Sequence, residues 1–244
     1  MDRWCIIAHP RTGSNYLEDM LYQNIHNQQK FVMKLGELMH RSIWSYADSS
    51  GCHFKKDILY DTDIRKNFTQ YLLDRLSNNP EFGATLRLFV QTHHLPDVDY
   101  NKLISQLISL NFKFIHLTRN MFDSTLSLSM AQHTGVWHRR QKGNWEHIDG
   151  NIQYATSPLI TNLPLTLFGK NYMDLQFHQY YTFQLLKELD YIPVRYDYMI
   201  NDSIINNIPL EVNSKVKKTY GIEYKDIISN YKELEKFYGQ LTNG

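Results

Sequence analysis

The sequence predicts an α/β fold: one domain over residues 1–244, with a central, mostly parallel sheet flanked by helices. Three observations carry this. Strand-length apolar runs at 3–8, 84–91 and 112–118 alternate with helical periodicity, the pattern of a parallel sheet with crossover helices. Two of those runs end directly in a segment bearing an arginine, Arg11 or Arg119, which puts both arginines at one edge of the sheet. Hydrophobic residues make up 42% of the chain, enough for a core.

Taken in order, residues 3–8 read as a buried strand, with Cys5 buried and inert inside it. Residues 14–26 read as a helix, because Leu17, Met20, Leu21 and Ile25 recur at three- and four-residue steps. Residues 41–63 are mixed and polar, with a loop at Ser49-Ser50-Gly51. A helical pattern over 64–77 runs through Ile64, Phe68, Leu72 and Leu76 and ends at Asn79-Pro80. A strand at 84–91 is followed by a turn at His93-His94-Leu95-Pro96, a helix near 100–110 and a strand at 112–118. Residues 135–165 have no clear period and read as an ordered loop region or lid. A helix over 174–189 follows, with Phe177, Tyr181 and Leu185 in step. Residues 192–196 are an edge strand, because proline cannot complete a ladder from both sides. Residues 223–241 form a last amphipathic helix.

Composition narrows the function. A formal net charge of +1 gives no bulk attraction for polyanions, so no nucleic-acid partner is expected. No run approaches the length of a membrane helix. Met1-Asp2-Arg3 leads straight into the first strand, so no signal peptide is expected, and two cysteines, Cys5 and Cys52, make no disulfide framework. A cytoplasmic location is the expectation. The eleven histidines are scattered, with no HExxH and no acidic cluster at metal-ligand spacing, so no metal is expected.

The chemistry concentrates in Pro10-Arg11-Thr12-Gly13-Ser14-Asn15-Tyr16, between the first strand and the first helix. Glycine permits close backbone approach, the helix N-terminus offers unpaired N–H groups, and Arg11 adds a permanent, forked charge. That combination suits a phosphate or sulfate ester. The nucleotide-triphosphate loop is excluded by the absence of a lysine before the hydroxyl residue. A second segment begins with Arg119 at the end of a strand. Asn120 with Asp123 suits a helix start, and Ser127 lies eight residues after Arg119. On spacing alone these read more readily as an ion-paired arginine and a solvated helical serine.

Pro10-Arg11-Thr12-Gly13-Ser14 resembles the 5′-phosphosulfate loop, P-[KR]-[ST]-G-[ST], of sulfotransferases that use 3′-phosphoadenosine 5′-phosphosulfate (PAPS). Arg119 and Ser127 resemble that family's 3′-phosphate motif in order, context and spacing, and Val194-Arg195-Tyr196-Asp197-Tyr198 is similar to its V-x-Y-E-D strand ending, with Asp197 at the Glu position. The arginine in the first loop is closer to the bacterial, carbohydrate-type and tyrosyl-protein enzymes than to the cytosolic phenol type. The resemblance covers 3–40 and 110–132 well and 192–200 loosely. It implies a P-loop-like sulfotransferase fold and a metal-free transfer of a sulfuryl group from PAPS to a hydroxyl or amine of a small-molecule, carbohydrate or peptide acceptor. By the same resemblance Arg11, Thr12, Gly13, Ser14, Asn15 and Tyr16 take the 5′ side, Arg119 and Ser127 the 3′-phosphate. Steadying the leaving oxygen falls to Arg11 or to another residue, and Glu37 in Leu35-Gly36-Glu37-Leu38, or else His94 in Thr92-His93-His94-Leu95-Pro96, is the base. Two departures stand out: the Arg-Lys-Gly segment near the C-terminus is missing, with Arg139-Arg140-Gln141-Lys142-Gly143 its nearest substitute, and the loop has no lysine. Trp137, Trp145, Tyr154 and the aromatics of 172–183 are candidates to line an acceptor pocket, though most suit a core. The alternatives are a nucleotide kinase-like phosphotransferase and a non-catalytic nucleotide-binding protein of the same fold.

Overall fold

In the computed structural model, β1 (Arg3–Ala8) is buried at all six positions, and its side chains divide by alternation. Trp4, Ile6 and Ala8 pack with Leu17, Met20, Leu21 and Ile25 of α1 (Ser14–Gln28). Cys5 and Ile7 pack instead with Leu72, Leu73 and Leu76 of α2 (72–78) and with Leu103, Ile104 and Leu107 of α3 (Tyr100–Ser109). A strand covered on both faces is what its unbroken apolar run requires. Burial, and secondly the charge of Glu18, push the Cys5 thiol well above its usual range. The structure describes residues 2–28, 31–37, 70, 72–89, 99–139, 145–147, 160–199, 204–205, 208–209 and 223–243.

Among the described residues, five strands form one sheet in the order β2 (Val32–Glu37), β3 (Gly83–Phe89), β1, β4 (Lys113–Thr118), β7 (Tyr191–Arg195), and every pairing is parallel. The protein is therefore α/β, with an all-parallel central sheet flanked by helices. β7 lies at the sheet edge, as Pro193 demands. At the opposite end of β1 from its loop, Arg3 is 4% exposed and donates to the carbonyls of Leu76, Asn79, Phe82 and Leu110 at 2.9–3.1 Å. It gathers the carbonyl ends of α2 and α3, which no intrahelical donor satisfies.

β2 is a strand that periodicity did not predict, and two side chains of α1 hold it. Lys34 pairs with Asp19 at 3.1 Å. Glu18, 1% exposed, accepts from the Gly36 amide at 2.9 Å, from Arg87 Nε of β3 at 2.7 Å and from the Thr85 hydroxyl at 3.4 Å.

The chain divides into two compact units, 1–118 with 178–214 and 119–177 with 215–244. The first holds the sheet. The second contains α4 (Met121–Thr134), the antiparallel pair β5 (Val136–Arg139) and β6 (Trp145–His147), the first part of α5 (Leu165–Leu186), α7 (Tyr224–Ile227) and α8 (Tyr231–Asn243). Its core joins Phe122, Leu126 and Met130 of α4 with Leu163, Phe168, Ile227, Ile228 and Leu234. In the first unit α6 (Tyr196–Met199) continues β7, and β8 (Ile204–Ile205) pairs with β9 (Ile208–Pro209).

The last helix is broken where the sequence predicts continuity. Thr161 donates to the Ile227 carbonyl and accepts from the Ser229 amide, both at 2.9 Å, and the Asn230 side chain exchanges two bonds with the Leu163 backbone. The Ile227 carbonyl and the Ser229 amide thereby leave the helical ladder, although the Ile228 amide still donates to the Tyr224 carbonyl at 2.9 Å. Helix α5 starts at Leu165, nearer the N-terminus than the predicted 174, because Leu165 and Phe168 pack into the core of the second unit. Among the described residues, no helix is long and apolar enough to cross a membrane.

Glu18→Leu strands the Arg87 guanidinium and the Gly36 amide, and is expected to destabilise the protein by about 3–5 kcal/mol. Adding Arg87→Leu should recover part of that loss. Urea denaturation of Glu18→Leu, Arg87→Leu and the double variant measures both, and additive losses would deny that the pair acts as a unit.

Candidate functional site

The loop after β1 is folded by its own short-range bonds. The Thr12 hydroxyl, fully buried, donates to the His9 carbonyl at 2.9 Å, and His9 Nδ1 lies 3.0 Å from the Pro10 carbonyl oxygen. Arg11 and Gly13 both take left-handed backbone, at φ 68 and φ 86. Such alternation around Thr12 turns successive amides the same way, the arrangement of an anion-binding concavity. The Gly13 carbonyl accepts from Tyr16 and Leu17 at 3.0 and 3.1 Å and starts α1. Among the described residues, nothing accepts from the amides of Gly13, Ser14 or Asn15. Those are the donors that a helix N-terminus holds out to an anion.

Gly13 has a second duty. A Cβ there would overlap the ring of Tyr196, the first residue of α6. Glycine here allows a close approach to Tyr196, a constraint separate from the ligand approach that the sequence suggested. Tyr196 seals one side of the loop, and it lies in the segment that resembles the family's strand ending. Arg195 and Asp197, beside it, are exposed and 3.9 Å apart.

Strand order places the loop. The chain leaving β1 goes to β2 on one side, and the chain leaving β4 goes on to β7 on the other. The carboxyl ends of β1 and β4 therefore mark a topological switch point, where open parallel sheets leave a crevice for ligands. Arg119 is the residue after Thr118, the last of β4, and it opens the second unit.

Within the second unit, α4 starts differently from α1. Asn120 Oδ1 accepts from the amides of Phe122 and Asp123 at 2.9 and 3.3 Å, so these helix donors are occupied. Ser127 is 2% exposed, which removes the reading of a solvated helical serine. It lies among buried hydroxyls: Thr125 donates back to Met121, and Ser129 accepts from Asn171. Arg119 is half-buried.

Glu37 is the last residue of β2, at the same sheet edge as the loop. A bulge aims it. Lys34 pairs with Thr85 and Gly36 with Leu86, so Leu35 is an extra residue, and Gly36 takes φ 61. Two-residue alternation from Lys34 would turn Glu37 to the α2–α3 face. The bulge instead sets it opposite Arg87, on the face that carries α1. Its Oε2 is 3.9 Å from an Arg87 Nη.

His94, Tyr154 and residues 140–143 lie outside the described residues. Trp137 and Trp145 fall on β5 and β6. Of the α5 aromatics, Tyr172 is buried against the Tyr238 ring, whereas Phe177, Tyr180, Tyr181 and Phe183 are exposed. Compared with known proteins, the chain matches no protein-family model and no curated protein.

Proposed function

We propose that this chain is a PAPS-dependent sulfotransferase acting on a hydroxyl or amine acceptor. The observation that carries the reading is Arg11. A non-glycine residue in left-handed backbone costs about 1–3 kcal/mol, and such strain collects at ligand-binding loops. Here it falls on the arginine of a loop whose next amides, Gly13 to Asn15, meet no acceptor among the described residues.

In this reading the Gly13, Ser14 and Asn15 amides and Arg11 take the 5′-phosphosulfate. Thr12 is turned inward to shape the loop, and Tyr16 follows in the first turn of α1. Arg119 and Ser127 take the 3′-phosphate. PAPS supplies the activated sulfuryl group. Its S–O bond to the phosphate breaks as the acceptor oxygen or nitrogen bonds to sulfur, and the electron pair leaves with adenosine 3′,5′-bisphosphate. By analogy with phosphoryl transfer, the protein aligns the reactants and neutralises the departing charge, which is Arg11's part. Glu37 takes the acceptor proton. His94, which lies outside the described residues, is the alternative base.

Three outcomes follow. Arg11→Gly relieves the backbone, so it should stabilise the protein by about 1 kcal/mol while weakening adenosine 3′,5′-bisphosphate at least about tenfold. Calorimetry of unfolding and of binding reads both, and unchanged affinity would remove Arg11 from the site. Arg119→Ala and Ser127→Ala should lose the preference for the 3′,5′-bisphosphate over adenosine 5′-phosphate. Equal weakening of both nucleotides in the same calorimeter would overturn that assignment. Glu37→Gln should leave donor binding intact and lower turnover by roughly 10²–10⁴ in an acceptor screen of sugars, phenols and peptides. His94→Asn is the control, and if it alone abolishes turnover, His94 is the base.

A further inference from the structure

The bulge that aims Glu37 also sets it against a guanidinium that is itself fixed. Arg87 points its Nε at Glu18 Oε2, 2.7 Å away, and this carboxylate is shut off from water. The pair is charge-assisted and buried, so it holds the plane of the fork. The fork's carbon lies 5.9 Å above the Phe89 ring, and another of its nitrogens would be 3.7 Å from a Cβ on Gly36. Glu18 holds the Gly36 amide as well. One carboxylate of α1 thus fixes the turn before Glu37 and the cation opposite it. Arg87 and Glu37 are each only slightly exposed, at 15% and 17%, so their attraction is weakly screened. At 3.9 Å their contact is looser than the Glu18–Arg87 bond. Two carboxylates share one cation here, and the tighter bond goes to the one with no access to solvent.

We propose that Arg87, pinned by Glu18, is the positioning residue for Glu37: it orients that carboxylate along the α1 face and keeps it ionised and ready to accept a proton. The use of that proton rests on the sulfotransferase reading; the coupling of the two side chains does not. Any acceptor that Glu37 deprotonates would meet a base whose ionisation is set from α1, the helix whose first turn would hold the donor.

The test is a carboxyl carbon NMR titration of the full chain, with the Glu37 resonance identified by its loss in Glu37→Gln. Arg87→Gln removes the positive charge, and a carboxylate without its cation holds its proton to higher pH. The Glu37 midpoint should rise by about half a pH unit or more, with Arg87→Lys between that variant and the native chain. An unmoved midpoint would overturn the proposal. Should Arg87→Gln fail to fold, the native chain decides: the Arg87 Nε–H resonance should follow the Glu37 midpoint and lose that step in Glu37→Gln. A pH-independent Arg87 signal would overturn it. With a working acceptor, the acid limb of kcat should move up in Arg87→Gln by the same interval, while KM for PAPS stays within about twofold. An acid limb that stays put contradicts the positioning role. A native chain that transfers to no acceptor contradicts the sulfotransferase reading alone, because the two titrations still judge the pairing.

Discussion

A carboxylate closed off from water must find charged or hydrogen-bonding partners inside the fold, and Glu18 finds three on two different strands. This constraint organises the carboxyl edge of the sheet. Through Thr85 and Arg87 it fixes α1 against β3, and through the Gly36 amide it fixes the end of β2. An apolar side chain at position 18 would bury as well, but it could set neither the bulge nor the guanidinium. The polar cluster costs desolvation and in return specifies one register at the place where register decides which way Glu37 points.

The same helix carries, at its first turn, the loop proposed to hold an anion. Loop geometry is therefore not independent of β2 geometry. Ser14, whose amide meets no acceptor among the described residues, and Glu18, with its carboxylate turned inward, are one helical turn apart. On the other side the loop leans on the Tyr196 ring, which follows the edge strand. Arg11 is left in strained backbone between these supports. Rigid strands aim the loop and short-range bonds shape it.

The elements legible in the sequence are those whose burial is decided locally. β1, β3 and β4 are apolar runs, and α1 and α3 carry regular stripes, so local periodicity located them. The Asn120 cap was legible for the same reason: cap and capped amides lie within three residues. β2 was not, because Lys34 and Gly36 look like loop residues until Asp19 and Glu18 are brought alongside by folding. The break in the last helix was equally hidden. Ile227 and Ile228 fit a helical stripe, and only Thr161 and Leu163, far away in sequence, draw their backbone elsewhere. In the candidate site, the strand–loop–helix junction at Pro10-Arg11-Thr12-Gly13-Ser14 could be read from five consecutive residues, and its role as an anion seat is the proposal. The direction of Glu37 could not, since a bulge reverses it, and neither could the contact between Gly13 and Tyr196.

The central claim is that the first turn of α1 and the loop before it form the seat of a 5′-phosphate. A crystal structure with adenosine 3′,5′-bisphosphate bound tests it most directly. The account predicts the 5′-phosphate on the amides of Gly13, Ser14 and Asn15, with the Arg11 side chain turned onto it. A nucleotide bound elsewhere, with no phosphate on those amides, would contradict it.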